Sequence, residues 1–110
     1  MTGSKQAEEY VARLSGWAAV TTRPLFGAIA FYRGSHVFAM LWKGALYFKV
    51  GDGNRADFEA AGSHTLGYQS QGKPRALNSY MEAPATVMED DEKLVEWADR
   101  AYREALAAQG

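Results

Sequence analysis

The chain has 110 residues, a formal net charge of −1 and no cysteine. Hydrophobic residues make up 47 % of it and charged residues 23 %, values that exclude a disordered, collagen-like or coiled-coil protein and predict one globular domain over residues 1–110. The lack of cysteine excludes disulfide scaffolds, thiol catalysis and Cys-ligated metal sites and fits a cytoplasmic protein. The longest apolar run, 37–42, is far below the ~20 residues of a membrane helix.

The first predicted element is an amphipathic helix over residues 4–15. Its apolar residues follow the helical spacing i, i+3, i+4 and i+7: Ala7, Tyr10, Val11 and Leu14. Ser4 is the expected N-cap and Gly16 the expected stop.

Three short strands follow, at Ala28–Tyr32, Val37–Trp42 and Ala45–Val50, after a β-favouring stretch at Trp17–Thr22 and a bend at Gly27. The turns between them are too short for parallel crossovers, so the strands must be antiparallel. Alternation in the third strand places Leu46, Phe48 and Val50 towards the helices, and Tyr47 and Lys49 on the other face.

The second half of the chain contains two further helices. A short helix, Arg55–Ala61, begins after Asn54, and a long helix runs from Asp90 or Asp91 to Ala107. Between them we expect a strand at Thr65–Gln69, a loop at Ser70–Pro74 and a strand at Arg75–Glu82. The predicted fold class is therefore α+β: an antiparallel sheet of about four to six strands flanked by an N-terminal, a short middle and a long C-terminal helix.

Large aromatic residues are predicted on the sheet face opposite the helices. The candidates are Tyr32, Phe38, Trp42, Tyr47 and Tyr80. If several of them share an open face, the apolar patch is large enough to bind a partner. The equal alternative is that a loop or the middle helix covers them.

Catalytic and metal-binding motifs are missing from the sequence. The nucleophile elbow G-x-S-x-G does not occur, and His36 and His64 lack zinc-site spacing. The loop 51–54 precedes a helix, as a phosphate loop does, but it lacks the G-K-[ST] ending, and Asp52 would repel phosphate. We expect no catalytic residues, no metal and no cofactor, and hence no enzyme.

Four basic residues give a second hypothesis, a small-ligand or nucleic-acid binder that uses Arg23, Lys49, Lys73 and Arg75, with Lys49 on the same strand face as Tyr47. The alternative for Arg23 and Lys49 is an ion pair with Glu59 or Glu82. The candidate partner or ligand surface consists of six residues: Arg23, Phe38, Trp42, Tyr47, Lys49 and Tyr80.

Several segments resemble, in order, the TfoX/Sxy N-terminal domain family. The opening motif is the run 23–32, Arg-Pro-Leu-Phe-Gly-Ala-Ile-Ala-Phe-Tyr. Later segments are 38–40, 46–50, 58–62, 79–84 and 94–98, and the resemblance extends over about residues 7–107. The motif departs from the family pattern Arg-x-Met-Phe-Gly at Pro24-Leu25, where leucine replaces methionine of similar volume.

The resemblance implies a small α+β fold, similar to secretion-chaperone-like domains, without catalytic residues to transfer. The namesake regulators control natural competence in bacteria and carry a further C-terminal helical domain, which residues 1–110 do not include. We expect a non-enzymatic regulatory or protein-interaction domain that forms a homodimer, with a regulatory protein as a possible further partner. Nucleic-acid binding is not expected without a second domain, and no membrane association is expected.

Overall fold

Six strands form one antiparallel sheet in this computed structural model, which describes residues 2–25 and 27–109. The elements in chain order are α1 (Thr2–Arg13), β1 (Thr21–Leu25), β2 (Ala28–Arg33), β3 (His36–Trp42), β4 (Ala45–Lys49), α2 (Arg55–Ala60), β5 (Thr65–Ser70), β6 (Lys73–Glu82), α3 (Ala85–Met88) and α4 (Asp91–Gln109). The strand order is β1-β2-β3-β4-β6-β5. The predicted α+β class, with an antiparallel sheet and N-terminal, middle and C-terminal helices, is confirmed.

The main hydrophobic core lies between the helices and one face of the sheet, which we call the inner face. Phe31, Phe48, Phe58 and Leu94 are completely or almost completely buried there. The predicted alternation in β4 is confirmed, because Leu46, Phe48 and Val50 belong to this core while Tyr47 belongs to a second cluster on the opposite, outer face.

The predicted N-cap residue is confirmed for the long helix and is wrong for the first helix. The Asp90 carboxylate accepts hydrogen bonds from the backbone N–H groups of Glu92 (2.9 Å) and Lys93 (3.2 Å), which makes Asp90 the N-cap of α4. The prediction of Ser4 as a cap is wrong, because α1 begins at Thr2 and Ser4 lies within it.

Two elements were not predicted as such. β1 extends to Leu25 and contains Pro24, which a sheet tolerates here because β1 is an edge strand. The bend that follows it is confirmed at Gly27, where φ is 84°, whereas Phe26 in the same predicted motif lies outside the described residues. The other addition is α3, a single turn of helix before α4.

The prediction that Phe38 lies on the outer face is wrong. Tyr32 pairs with Val37 and Phe31 pairs with Ala39, so Phe38 is an extra residue in β3, a β-bulge. The bulge breaks the strict alternation and turns Phe38 into the inner core, where it is fully buried and packs edge-on against Trp17 at 5.3 Å between ring centroids. Phe38 is therefore part of the core and does not belong to the candidate surface.

A β-hairpin replaces the loop predicted at Ser70–Pro74. β5 and β6 continue to a two-residue turn, Gln71-Gly72, in which φ is positive at both residues (54° and 76°), as a type I′ hairpin turn requires. Only residues 80–82 of β6 pair with β4, and the register between β5 and β6 shifts at the base of the hairpin. The hairpin residues 66–77, which we call the arm, thus extend beyond β4 and form no strand pairing with it.

A candidate binding cleft on the outer face

A cleft of about 500 Å³ lies between the arm and the outer face of the sheet. Residues from five strands line it: Leu25, Ala28, Met40, Trp42, Leu66, Tyr68, Gln69, Ser70 and Leu77. Most of this lining is aliphatic or aromatic, and Gln69 and Ser70 add polar groups near the tip of the arm. Because β1 and β5 are opposite edges of the sheet yet line the same cleft, the sheet must be strongly curved.

Trp42 connects the two sides of the cleft. Its indole N–H donates a hydrogen bond to the Gly67 carbonyl in the arm (3.2 Å). On the other side a Cβ atom at Gly27 would lie only 3.2 Å from the indole ring, and φ at Gly27 is positive, so both geometry and space favour glycine there. The predicted site residue Trp42 is thus placed at the cleft.

The arm covers two other predicted surface aromatics. Tyr47 and Tyr80 are each only 7 % exposed and pack in the outer cluster with Met40 and Leu66. Among the side chains that the structure describes, Leu106 is the one large hydrophobic residue that is exposed. The expected open aromatic face is therefore replaced by a covered face with a cleft, which corresponds to the covering alternative, with the arm as the cover.

Burial also fixes the ionisation of these two phenols. Desolvation, and secondarily the nearby Glu82 carboxylate, raises the pKa of Tyr47 above its usual value of 10.0. Desolvation, with a smaller contribution from Tyr32, raises the pKa of Tyr80 in the same direction. Both side chains are neutral at physiological pH and act as apolar rings with a hydroxyl group.

The predicted cations Arg23 and Lys49 lie over aromatic rings on the outer face. The Arg23 guanidinium lies 5.3 Å from the centroid of the Tyr32 ring, and the Lys49 ammonium lies 5.2 Å from that of Tyr80. The alternative that they form ion pairs with Glu59 or Glu82 is wrong, because no such pair occurs among the described residues and Glu82 instead contacts His64 (Nε2 to Oε1, 3.2 Å).

Two more cations lie on the cleft side of the arm. Directly opposed residues of an antiparallel pair share a face, and the register pairs Tyr68 with Arg75 and Ser70 with Lys73. Tyr68 and Ser70 line the cleft, so Arg75 and Lys73 lie on the same face of the arm, next to the lining and not in it, and both are exposed. Neither forms a salt bridge with any residue in the described ranges.

A family model for the TfoX N-terminal domain matches residues 12–105, a range that includes all six strands and the cleft. The chain belongs to this family. A comparison with curated proteins gave no match. The cleft is thus a feature of a TfoX N-terminal domain, and every lining residue falls within the matched range.

A second cluster of polar and aromatic groups in this TfoX N-terminal domain lies on the inner side and joins α4 to the sheet. The Arg33 guanidinium lies between the rings of Trp17 (4.8 Å) and Tyr102 (4.5 Å). Asp99 accepts hydrogen bonds from the Arg103 side chain (2.8 Å) and the Trp17 indole N–H (3.1 Å). The Arg103 bond is the largest of the effects that hold the pKa of Asp99 below its usual 3.8. Every charge here has a partner within the fold, so the cluster is structural.

The glycine-containing loop at 51–54 binds a carboxylate of the same chain. The Gly53 N–H donates to the Glu104 carboxylate (3.1 Å), and a Cβ at Gly51 or Gly53 would collide with that group. Asn54 is buried and holds the loop by accepting from the Gly51 N–H (2.9 Å) and donating to the Lys49 carbonyl (3.0 Å). These contacts are those of an ordinary strand–helix turn that is held by side chains of the same chain.

Two further properties concern the described part of the TfoX N-terminal domain. No group of three or more His, Asp or Glu side chains within residues 2–25 and 27–109 is arranged to hold a metal ion. None of the helices in those same ranges combines the length and the apolar character needed to cross a bilayer.

Proposed function

We propose that this TfoX N-terminal domain is a non-enzymatic regulatory domain that works by binding, and that the outer cleft is its binding site. The observation that carries the proposal is the cleft itself. Its volume of about 500 Å³ and its apolar lining with few polar groups are typical of sites that take up a ligand.

The chemistry of the lining favours binding over catalysis. The described residues that line the cleft include no carboxylate and no imidazole. The Ser70 hydroxyl therefore has no general base beside it in this lining. The aromatic groups in and under the cleft are held in place by packing and by the Trp42–Gly67 hydrogen bond, as expected for a preformed pocket.

Family membership supports a regulatory role, with transcription and competence as the processes and the cytoplasm as the location that we propose with it. A regulatory protein partner fits the same proposal if a ligand in the cleft changes the conformation of the arm and the partner binds to the arm. The homodimer stays a prediction. Its interface would use the cleft rim, since Tyr47 and Tyr80 are covered within the described chain.

A cavity-filling variant tests the proposal. Ala28 lines the cleft, and Ala28→Leu extends a side chain into it; the matched control is Ala56→Leu, at an exposed position of α2. The probe is the neutral apolar dye N-phenylnaphthylamine, followed by its fluorescence. We expect the wild type and Ala56→Leu to bind the dye equally and Ala28→Leu to bind it about tenfold more weakly, a loss of ~1.4 kcal/mol.

Circular dichroism establishes whether each variant is folded. If Ala28→Leu is unfolded, Leu77→Trp serves as a second variant that fills the cleft. Failure of the wild type to bind the dye, or unchanged binding by a folded filling variant, would reject the cleft as the binding site.

A further inference from the structure

We propose that the cleft binds a single-chain anionic amphiphile, with the apolar chain in the cleft and the anionic head between the arm cations and Arg23. This inference rests on the proposed function and adds the chemical class of the ligand. The occupant is a free molecule with one chain, because a cavity of about 500 Å³ holds a single chain of roughly a dozen carbons and not a two-chain lipid.

The apolar end of the ligand is defined by the wall residues of the sheet. Met40 and Leu66 belong to the buried outer cluster, and Leu25 and Leu77 pack against it from the two sides. These flexible aliphatic side chains and the flat Trp42 ring can contact a linear chain along its length without offering it a polar partner. Removal of the chain from water is the expected source of affinity.

The polar end of the ligand is defined by the tip of the arm. Ser70 and Gln69 line the cleft there, and Lys73 is the direct cross-strand partner of Ser70. Arg75 lies one pair further in, opposite Tyr68. An anionic head that follows the cleft outwards therefore meets two hydrogen-bonding side chains and two exposed cations.

Arg23 supplies positive charge from the other wall. It alternates with Leu25 on β1, and Leu25 lines the cleft, so the Arg23 side chain belongs to the same face. Its position over the Tyr32 ring leaves its guanidinium N–H groups available, since no carboxylate among the described residues pairs with it.

The distribution of acidic residues decides between an anionic and a cationic head. Of the 13 Asp and Glu residues of the chain, Glu82 alone lies in a strand in the described ranges, and it contacts His64. The remaining carboxylates lie on helices or in loops. The outer face thus carries four strand cations, Arg23, Lys49, Lys73 and Arg75, against one engaged carboxylate. An anionic head is attracted to this face and a cationic head is repelled.

A series of head groups on one chain tests the inference. Dodecanoate and dodecyltrimethylammonium, below their micellar concentrations, and dodecanol, below its solubility limit, displace N-phenylnaphthylamine from the wild type. We expect dodecanoate to bind about five- to tenfold more tightly than dodecanol, since exposed ion pairs are each weak, and the ammonium compound to bind more weakly than both. The preference should shrink as salt is raised.

Charge variants identify the cations responsible. The double variant Lys73→Gln/Arg75→Gln should bind dodecanoate and dodecanol almost equally, with dodecanol affinity unchanged. The matched control Lys5→Gln/Lys93→Gln removes two exposed charges from α1 and α4 and should keep the full preference. A third variant, Lys73→Arg/Arg75→Lys, retains the charge and should retain the preference too.

The outcomes separate the inference from the function on which it rests. Equal affinity of the wild type for dodecanoate and dodecanol would overturn the anionic head while leaving the cleft as a binding site. Loss of the preference in the Lys5/Lys93 control would overturn the assignment to the arm. If no dodecyl compound displaces the dye, or if dodecanoate does not compete while the protein sediments with phosphatidylglycerol vesicles, the free single-chain ligand is rejected.

Discussion

Asp99 joins α4 to two other parts of the fold through charge and hydrogen bonding. It accepts from Trp17, which precedes β1, and from Arg103 one turn along α4, while Arg33 of β2 adds a favourable charge. The fold therefore prefers the carboxylate over the carboxylic acid. Because the folded-state pKa lies below the usual 3.8, the stability that Asp99 contributes is fully present above that pH and is lost as the pH falls through the folded-state pKa.

This linkage predicts the behaviour of Asp99→Asn. We expect the variant to lower the free energy of unfolding by about 0.5–1 kcal/mol at neutral pH, because an amide accepts from Trp17 but does not attract Arg103 or Arg33. The difference from the wild type should shrink as the pH is lowered below 3.8 and through the folded-state pKa of Asp99. Urea denaturation followed by circular dichroism measures both quantities.

The control for Asp99→Asn is Glu96→Gln, which removes the same charge from an exposed position of the same helix. A pH-independent difference for Asp99→Asn, or an equal pH effect in Glu96→Gln, would contradict the role assigned to Asp99.

Single residues show where sequence reasoning succeeds and where it fails. The faces of Tyr47 and Lys49 follow from alternation alone, since β4 is regular. The face of Phe38 does not follow from alternation, because a bulge adds one residue to β3 and nothing in the local sequence marks the position of the bulge. Trp42 is predicted as part of the candidate surface, but its hydrogen bond to Gly67 is not predictable, because it joins strands that are not adjacent in the sheet.

At the scale of elements, the arm determines what the outer face can do. Its base is held by Arg55 at the start of α2, whose guanidinium donates to the Asn78 carbonyl (2.6 Å) and lies 3.8 Å from the Met81 sulfur. The second anchor is the hydrogen bond from the Val50 N–H to the Ser79 carbonyl (2.8 Å). These contacts occur where the register shifts, and they fix the direction in which the arm leaves the sheet.

Release of this anchor should loosen the arm without unfolding the core. We expect Arg55→Met, which keeps an unbranched side chain but removes the donors, to speed amide hydrogen exchange in residues 66–77 and to weaken dye binding in the cleft about threefold. The free energy of unfolding should fall by no more than about 1 kcal/mol, the value of one hydrogen bond. Exchange is read by mass spectrometry of peptides from the arm and from β3.

Lys93→Met is the matched control, since it replaces an exposed cation on α4 with the same side chain. Faster exchange in β3 as well as in the arm would mean global destabilisation, and unchanged exchange in the arm would show that Arg55 does not hold it.

The arm also explains why the cleft could not be predicted from the sequence. The segment around Lys73-Pro74 contains the residues of a loop, and the turn itself uses Gln71 in a left-handed conformation, which glutamine seldom adopts. Once the segment is taken as a loop, nothing in the sequence pairs Leu66 and Tyr68 with the strand that contains Leu77, and the wall of the cleft is not predicted. The alternation of Leu66, Tyr68 and Ser70 is the one sequence signal that favours a strand of this length.

Acidic residues of the folded domain are concentrated outside the sheet. The helices and loops carry twelve of the thirteen acidic residues, and the outer sheet face carries most of the strand cations. The uneven charge along the sequence indicates part of this arrangement, because residues 89–110 contain seven Asp and Glu and three Lys and Arg. The side to which each cation points depends on the strand register, which the sequence leaves open.

The segregated charge bears directly on nucleic-acid binding, the alternative function of this face. Five described cations on this face are available to neutralise phosphates: Arg23, Lys49, Lys73, Arg75 and Lys43, whose ammonium lies 5.4 Å from the centroid of the Trp42 ring. The logarithm of the association constant for duplex DNA should therefore fall against that of the salt concentration with a slope of about −4.5 or shallower. We expect weak binding at low salt and none at physiological salt, measured by fluorescence anisotropy of a labelled duplex.

Lys73→Gln/Arg75→Gln should make the slope shallower by about 2, and Lys5→Gln/Lys93→Gln should leave it unchanged. Binding that persists at physiological salt, or a slope much steeper than about −4.5, would require a cationic surface larger than this face provides. Either result would favour nucleic acid over the amphiphile as the ligand of the domain.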